Sequence, residues 1–390
     1  MAWCILLACA LDRGASLPGS DSAPVEGVGS GDPGRAPDDT LAALFDPAVL
    51  HAVRLELSAA SRAALAVPEA EVDVIVDLDD GALRRPARLS VRGGTWGGAV
   101  RLRVRLDAER AIGALRRLVL DPQARDPARL RAPLASWILA DAGVPAPRVV
   151  LARVFDGAES LGVHALAEEV DGAFAVRRGW PAAGAWSADE GVDLVPEAVP
   201  AWERVGGGVA EGEAPSAPED EDRDALRAFA DACVDAETPL RDGLSRMLPG
   251  WWRTWAWQIA LADAGASPRL PEDLNLLEDA ATHALTPVPT DLTGAWDPDA
   301  DARVARTQFG ARCLREEPCR DGLASEVRRV LERWDEPAVL RRLEALSALD
   351  AAARAAQDAE GAAGVAEARA QLRATVRDTP DRVRSQTRGW

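Results

Sequence analysis

The sequence predicts an α+β chain of two lobes, a sheet-rich amino half and a helical carboxyl half with one embedded β-hairpin. Three observations predict it. Between residues 71 and 120, and again between 149 and 169, apolar residues alternate with polar ones, and Asp-Gly pairs separate the runs. This is the pattern of half-buried strands joined by tight hairpins. Residues 187–222 turn acidic and rich in Gly, Pro and Ser, and from Asp224 onward the apolar spacing is mostly helical. The expected divisions are a leader and flexible linker (1–40), a sheet-rich lobe (41–186), an exposed acidic connector or insertion (187–222) and a mainly helical lobe (223–390).

Val72, Val74, Val76 and Leu78 alternate with mostly acidic positions, and Asp79-Asp80-Gly81 turns the chain. The return strand carries Ala87, Leu89 and Val91 and ends in the glycine-rich turn Arg92-Gly93-Gly94-Thr95-Trp96-Gly97-Gly98. A third strand runs from Val100 to Leu106 and a short one over Leu118–Leu120. Asp126-Pro127 reads as a helix start, with Asp as N-cap and Pro in the first turn. Leu130, Leu134, Trp137 and Ile138 share the helix face, and Gly143 and Pro145 end it. A second hairpin follows, Val149–Phe155 and Leu161–Glu169 around Asp156-Gly157. Trp251, Trp252, Trp255 and Trp257 lie at helical spacing within Leu244–Ala264, a stripe that reads as core. A β segment over Leu274–Val288 interrupts the helices, which resume after Ala302.

The chain has 390 residues, 47% of them hydrophobic, which supports a real core. Its formal charge is −18, and an acidic surface argues against nucleic acid or anionic lipid as the main partner. All 45 basic residues are Arg, Tyr is absent and Asn occurs once, at Asn275. Lys, Asn and Tyr have AT-rich codons, so a GC-rich genome explains the skew. An Arg therefore says little about Arg-specific chemistry, whereas the retained Asn says more.

Residues 1–10 form a short apolar run, too short to span a bilayer. Leu6-Leu7-Ala8-Cys9 resembles a lipobox, and a Gly/Ser/Pro/Asp-rich stretch follows. The expectation is an exported, lipid-anchored lipoprotein held through Cys9, or alternatively a secreted chain. Of the other cysteines, Cys313 and Cys319 flank Pro318 closely enough for a loop-closing disulfide. In that case Cys233 stays outside it; a different pairing or three buried thiols are the alternatives. Three scattered His and no Cys-x-x-Cys make a structural zinc site an unsuitable reading.

Phosphoryl transfer needs a loop over the phosphates, a cation, an Asp to take the acceptor hydroxyl's proton, and Asn and Asp oxygens for magnesium. The sequence supplies each in order. Arg92, Gly93, Gly94 and Gly97 form the turn, Arg101 supplies charge on the next strand, and Glu168 is placed to orient that cation. Asp263, Asn275 and Asp291 then follow as base, metal Asn and metal Asp.

From Leu44 to the carboxyl terminus these segments resemble the spore-coat protein H (CotH) family of atypical kinases. The resemblance rests on LFDPAVLHAVRLEL, RLSVRGG, RDPARLRAPLASWILADAGVPAP, VFDGAESLGVHALAEEVD, IALADAG, DLNLL and VPTDLTGAW, in that order. It implies a two-lobed atypical protein-kinase-like fold, with ATP and Mg2+ as cofactors and Ser or Thr of a surface or spore-coat protein as acceptor. It also implies Asp263 as base, Asn275 and Asp291 as metal ligands and Glu168 as the ion-pair carboxylate. The chain departs from the family where the strand Lys is Arg101, where a Leu-Tyr-Lys segment reads Ala185-Trp186-Ser187, and where the second Asp of Asp-x-Asp is Thr293. Those departures are compatible with a weakened enzyme or a surface-binding pseudokinase. Adenylylation and protein glutamylation are the alternative chemistries of the same fold.

Overall fold

Seven strands of the amino half close into a barrel. The computed structural model describes residues 37–67, 70–79, 81–92, 95–96, 99–107, 111–112, 115–180, 182–187, 195–205, 223–235, 237, 240, 250–261, 274–297, 301–303, 308–354 and 362–390. Helix α1 (Pro37–Leu44) precedes strand β1 (His51–Glu56), and α2 (Ala59–Ala64) leads into the hairpin β2 (Glu71–Leu78) and β3 (Leu83–Arg92). Strands β4 (Arg101–Leu106) and β5 (Arg117–Asp121) follow, then α3 (Arg131–Asp141) and the hairpin β6 (Val149–Asp156) and β7 (Glu159–Glu168). The ring order is β1-β2-β3-β4-β5-β7-β6. Its closing pair is parallel, β1 against β6, from His51 beside Ala152 to Leu55 beside Asp156. Closure leaves the barrel with no free edge.

Strand alternation sorts the residues. Leu102, Val104, Leu118, Leu120 and Leu166 point into the barrel's own core with Val53, Leu55, Val74 and Leu89. Arg101, Arg103, Arg117 and Asp121 stand on the outer face of the same strands, one residue out of phase. The outer residues Leu151, Val163 and Ala165 of β6 and β7 join a second core shared with α3 and the carboxyl-terminal helices. The two halves therefore meet across one side of the barrel wall. At the tip of the β6–β7 hairpin Gly157 takes φ +60°, which the Asp-Gly signal anticipates. The neighbouring Asp156 carboxylate receives both Nε and Nη2 of Arg62 at 2.6 Å.

The second half begins with α4 (Gly172–Arg177), N-capped by the Asp171 carboxylate, which accepts from Phe174 N–H at 2.9 Å. Strands β8 (Ala182–Ser187), β9 (Glu203–Val205), β10 (Leu274–Asp279) and β11 (Leu285–Pro289) make an antiparallel sheet in the order β11-β10-β8-β9. The helices are α5 (Asp224–Val234), α6 (Trp251–Ala260), α7 (Gln308–Arg315), α8 (Glu317–Arg333), α9 (Glu336–Arg354) and α10 (Ala362–Gln386). The molecule is thus the mixed α+β chain expected, sheet-rich first and helical later. Trp251, Trp255 and Trp257 are buried in the second core, as the stripe reading expects. Cys313 and Cys319 are joined in a disulfide at the junction of α7 and α8. Among the described residues no helix is long and apolar enough to cross a membrane.

Two local expectations are corrected. The helix expected at Asp126-Pro127 starts at Arg131. Asp126 instead accepts from the N–H groups of Ala128, Leu130 and Arg131 at 2.9, 2.6 and 2.8 Å. Arg129, at φ +57°, keeps this tight turn out of the helix. The segment 187–222 is not wholly an exposed connector. Residues 196–201 form a 3-10 turn and β9 pairs with β8, with Val199 and Trp202 fully buried. Burying an indole and a valine outweighs the acidic composition around them.

Candidate active site

The hairpin of β10 and β11 positions the two residues expected to hold a metal. Asn275 is the second residue of β10 and lies opposite Val288, while Asp291 follows β11 by two residues. Because Leu274 faces Pro289, both lie at the same end of the hairpin. Asn275 is buried and donates from Nδ2 to the carbonyl of Val170, 2.7 Å away, just after β7. That bond leaves Oδ1 as the acceptor end of the amide.

Asp291 is held from two sides. Its Oδ1 accepts from the backbone N–H of Thr293 at 3.1 Å and from the Thr293 hydroxyl at 2.6 Å. Its Oδ2 accepts from Arg101 Nη2 at 2.9 Å, across the boundary between barrel and second half. Arg101 also donates from Nε to Asp121 Oδ2 at 2.9 Å, so its guanidinium bridges two carboxylates. Burial pushes the Asp291 carboxyl up, but the Arg101 charge and the bonds from Thr293 and Arg101 outweigh it, and the group lies below the ordinary carboxylate value. For Arg101 burial acts to weaken the charged form, and the two carboxylates more than restore it.

The wall beside this pair is rich in arginine. Arg92 faces Arg101 across β3 and β4. Arg103 Nη2 meets Glu169 at 2.7 Å, and Arg117 Nε lies 3.9 Å from the same carboxylate. Burial raises the Glu169 carboxyl, with Arg103 and Arg117 opposing. After Asp291, the backbone N–H of Trp296 donates to the Leu261 carbonyl at 2.5 Å. This bulky residue sits at φ +58°, a backbone region such side chains rarely adopt. The bond ties the loop after Asp291 to the end of α6. Arg382 of α10 reaches the same helix end, donating to the Ala260 carbonyl at 2.9 Å.

The structure brings Arg101, Asp291 and Thr293 together and puts Asn275 at the same hairpin end. It does not bring Glu168 to Arg101. Glu168 faces Leu118 across β5 and β7, on the inner side of the wall, whereas Arg101 is on the outer side. Its fully buried carboxylate takes instead Arg177 Nη2 at 3.0 Å, Arg148 Nη2 at 3.3 Å and Arg178 Nη1 at 3.3 Å. The carboxylates that meet the outer-face arginines are Asp121 and Glu169, neither of which sequence reasoning singled out. Period-two alternation from Ala165 and Ala167 would have found Glu169. Gly93, Gly94 and Gly97 of the phosphate turn, and Asp263, the expected base, lie outside the described residues.

The donor set suits magnesium, which keeps several waters and binds through one or two protein oxygens plus substrate phosphate. Asn275 Oδ1 and the Asp291 carboxylate are hard oxygens of that kind. Among the described residues no group of three or more His, Cys, Asp or Glu side chains is placed to hold a metal unaided. Thr293 is buried, and its hydroxyl donates to Asp291 rather than adding a second charge.

Neither a family model nor a curated protein matches the chain. Among solved structures it is similar to the Helicobacter pylori proinflammatory kinase CtkA, with 8% identity and a TM-score of 0.36, over 73% of this chain and 94% of that one. A likeness at that score carries no argument about activity.

Proposed function

We propose that the chain is a CotH-like, ATP- and Mg2+-dependent protein kinase acting on Ser or Thr of a surface or coat protein. The observation that carries the reading is the Arg101–Asp291 pair at 2.9 Å, beside the hairpin end that also holds Asn275. A cation-bearing strand thereby meets the Asp, with the Asn at the same hairpin end, which supports a reading as the residue types that phosphoryl transfer uses. Arg92 and Arg101 would draw the phosphate chain to the barrel wall. Asn275 Oδ1 and Asp291 would hold magnesium, which neutralises phosphate charge when bound. Asp263, a few residues beyond Leu261, would accept the acceptor hydroxyl's proton. The turn with Gly93, Gly94 and Gly97 would approach the phosphates closely. The leader with Cys9 belongs to the same proposal, as a lipid anchor on an exported protein.

A second reading is favoured by Thr293, which stands where a second carboxylate would strengthen the metal site. It makes the chain a surface-anchored pseudokinase that binds nucleotide without turnover. Incubation with ATP, Mg2+ and candidate coat proteins, followed by intact-mass spectrometry, separates the readings. Phosphate, adenylyl and glutamyl additions differ in mass, and an unmodified substrate despite nucleotide binding favours the pseudokinase.

A further inference from the structure

The acceptors of Asp291 are nearly filled by the protein itself. Oδ1 takes two donors from Thr293, and Oδ2 takes Arg101. A carboxylate has about four lone-pair sites, so one acceptor direction remains, on the oxygen already facing a guanidinium. A dication placed there would sit beside a fixed positive charge. Thr293 adds no second carboxylate to offset that repulsion. Arg101 is the more exposed partner of the pair. Its side chain is 41% exposed, and the Nε bond to Asp121 gives it a second anchor on its own barrel wall.

We infer that Arg101 is the resident counter-charge of Asp291, and that phosphate oxygens open the cation site by drawing Arg101 away. This rests on the nucleotide-binding reading above and deepens it. The phosphate chain and the divalent cation then bind as a coupled pair, each raising the affinity for the other by the same factor. Magnesium alone meets a site that Arg101 already occupies. The arginine fork suits this exchange, because guanidinium geometry matches both carboxylate and phosphate.

The test is calorimetric titration of the full nucleotide-free chain with Mg2+ alone, and then with ADP present. The wild type is expected to bind Mg2+ alone at least tenfold more weakly than R101M, and ADP is expected to narrow that gap. D291N in the R101M background is expected to remove the gain. R101K, which keeps the charge, is expected to behave like the wild type. Equal Mg2+ affinity of wild type and R101M overturns the inference, even if nucleotide binds with Mg2+. If instead R101M gains Mg2+ through Asp291 while no variant binds nucleotide, the counter-charge role stands and the nucleotide reading fails.

Discussion

Arg101 and Asp291, separated by 190 positions in the chain, meet at 2.9 Å and join the barrel to the loop after the second sheet's hairpin. The pair is charge-assisted and partly buried, with Asp291 side-chain exposure of 14%. It both marks the candidate site and couples the two halves. A double-mutant cycle over R101M, D291N and the double variant is expected to give a coupling of about 1–2 kcal/mol in chemical denaturation, after allowing for Arg101 exposure. Additive losses would show that the contact contributes nothing in solution.

Thr293 decides the charge of the site. Thr293→Asp puts a carboxylate where a hydroxyl now donates to Asp291 at 2.6 Å. Like charges at that spacing are expected to cost about 1–2 kcal/mol without a cation, a drop of a few degrees in Tm. Millimolar Mg2+ is expected to reverse it. Scanning fluorimetry with and without Mg2+ reads both effects, and a Tm indifferent to Mg2+ would count against a cation at this end of the hairpin.

Glu168 is a structural hub on the inner side of the barrel wall. Its carboxylate is fully buried among Arg148, Arg177 and Arg178. Burial raises its pKa, but Arg178, Arg148 and Arg177 together bring it below the ordinary glutamate value. Glu168→Ala strands that positive charge and is expected to cost about 3–5 kcal/mol. The denaturant midpoint should fall with m unchanged. A variant of native stability that has lost only nucleotide affinity would instead restore the orienting role expected from sequence.

His164 gives the protein an acid sensitivity whose main cause is its own burial. Burial on β7 lowers its pKa from 6.5 to about 4. The folded imidazole stays neutral while the unfolded one protonates, so the unfolded state binds the extra proton between those values. Its stability contribution is complete above pH 6.5 and is lost as pH falls toward 4, by about 3 kcal/mol in all. His164→Leu is expected to flatten the stability profile across that window. An unchanged slope would mean that the acid response comes from other groups.

The strands were legible because hairpin signals and period-two alternation are local. Val72 to Leu78 and the Asp156-Gly157 turn could be placed without tertiary information. Barrel closure was not legible, since the parallel pairing of His51–Leu55 with Ala152–Asp156 depends on strands about a hundred residues apart. Trp202 was missed because the composition of its neighbours hid a single buried indole. Residue type and order singled out Asn275 and Asp291, and the hairpin register puts both at one end of β10 and β11. The partner of Arg101 was misassigned because Glu168 and Glu169 adjoin in sequence but point to opposite faces of a strand. One residue of phase separates a structural hub on the inner side of the wall from the arginines on its outer face.

The central claim is that Asn275 and Asp291 form one magnesium-nucleotide site with Arg101. Its most direct test is calorimetric titration of a nonhydrolysable ATP analogue into the wild type, N275A and D291A, with Mg2+ and with EDTA. The account predicts saturable binding to the wild type that falls at least tenfold in EDTA and in either variant, with folding retained. Affinity that is indifferent to Mg2+ and to both substitutions, or no binding by the folded wild type, would contradict it.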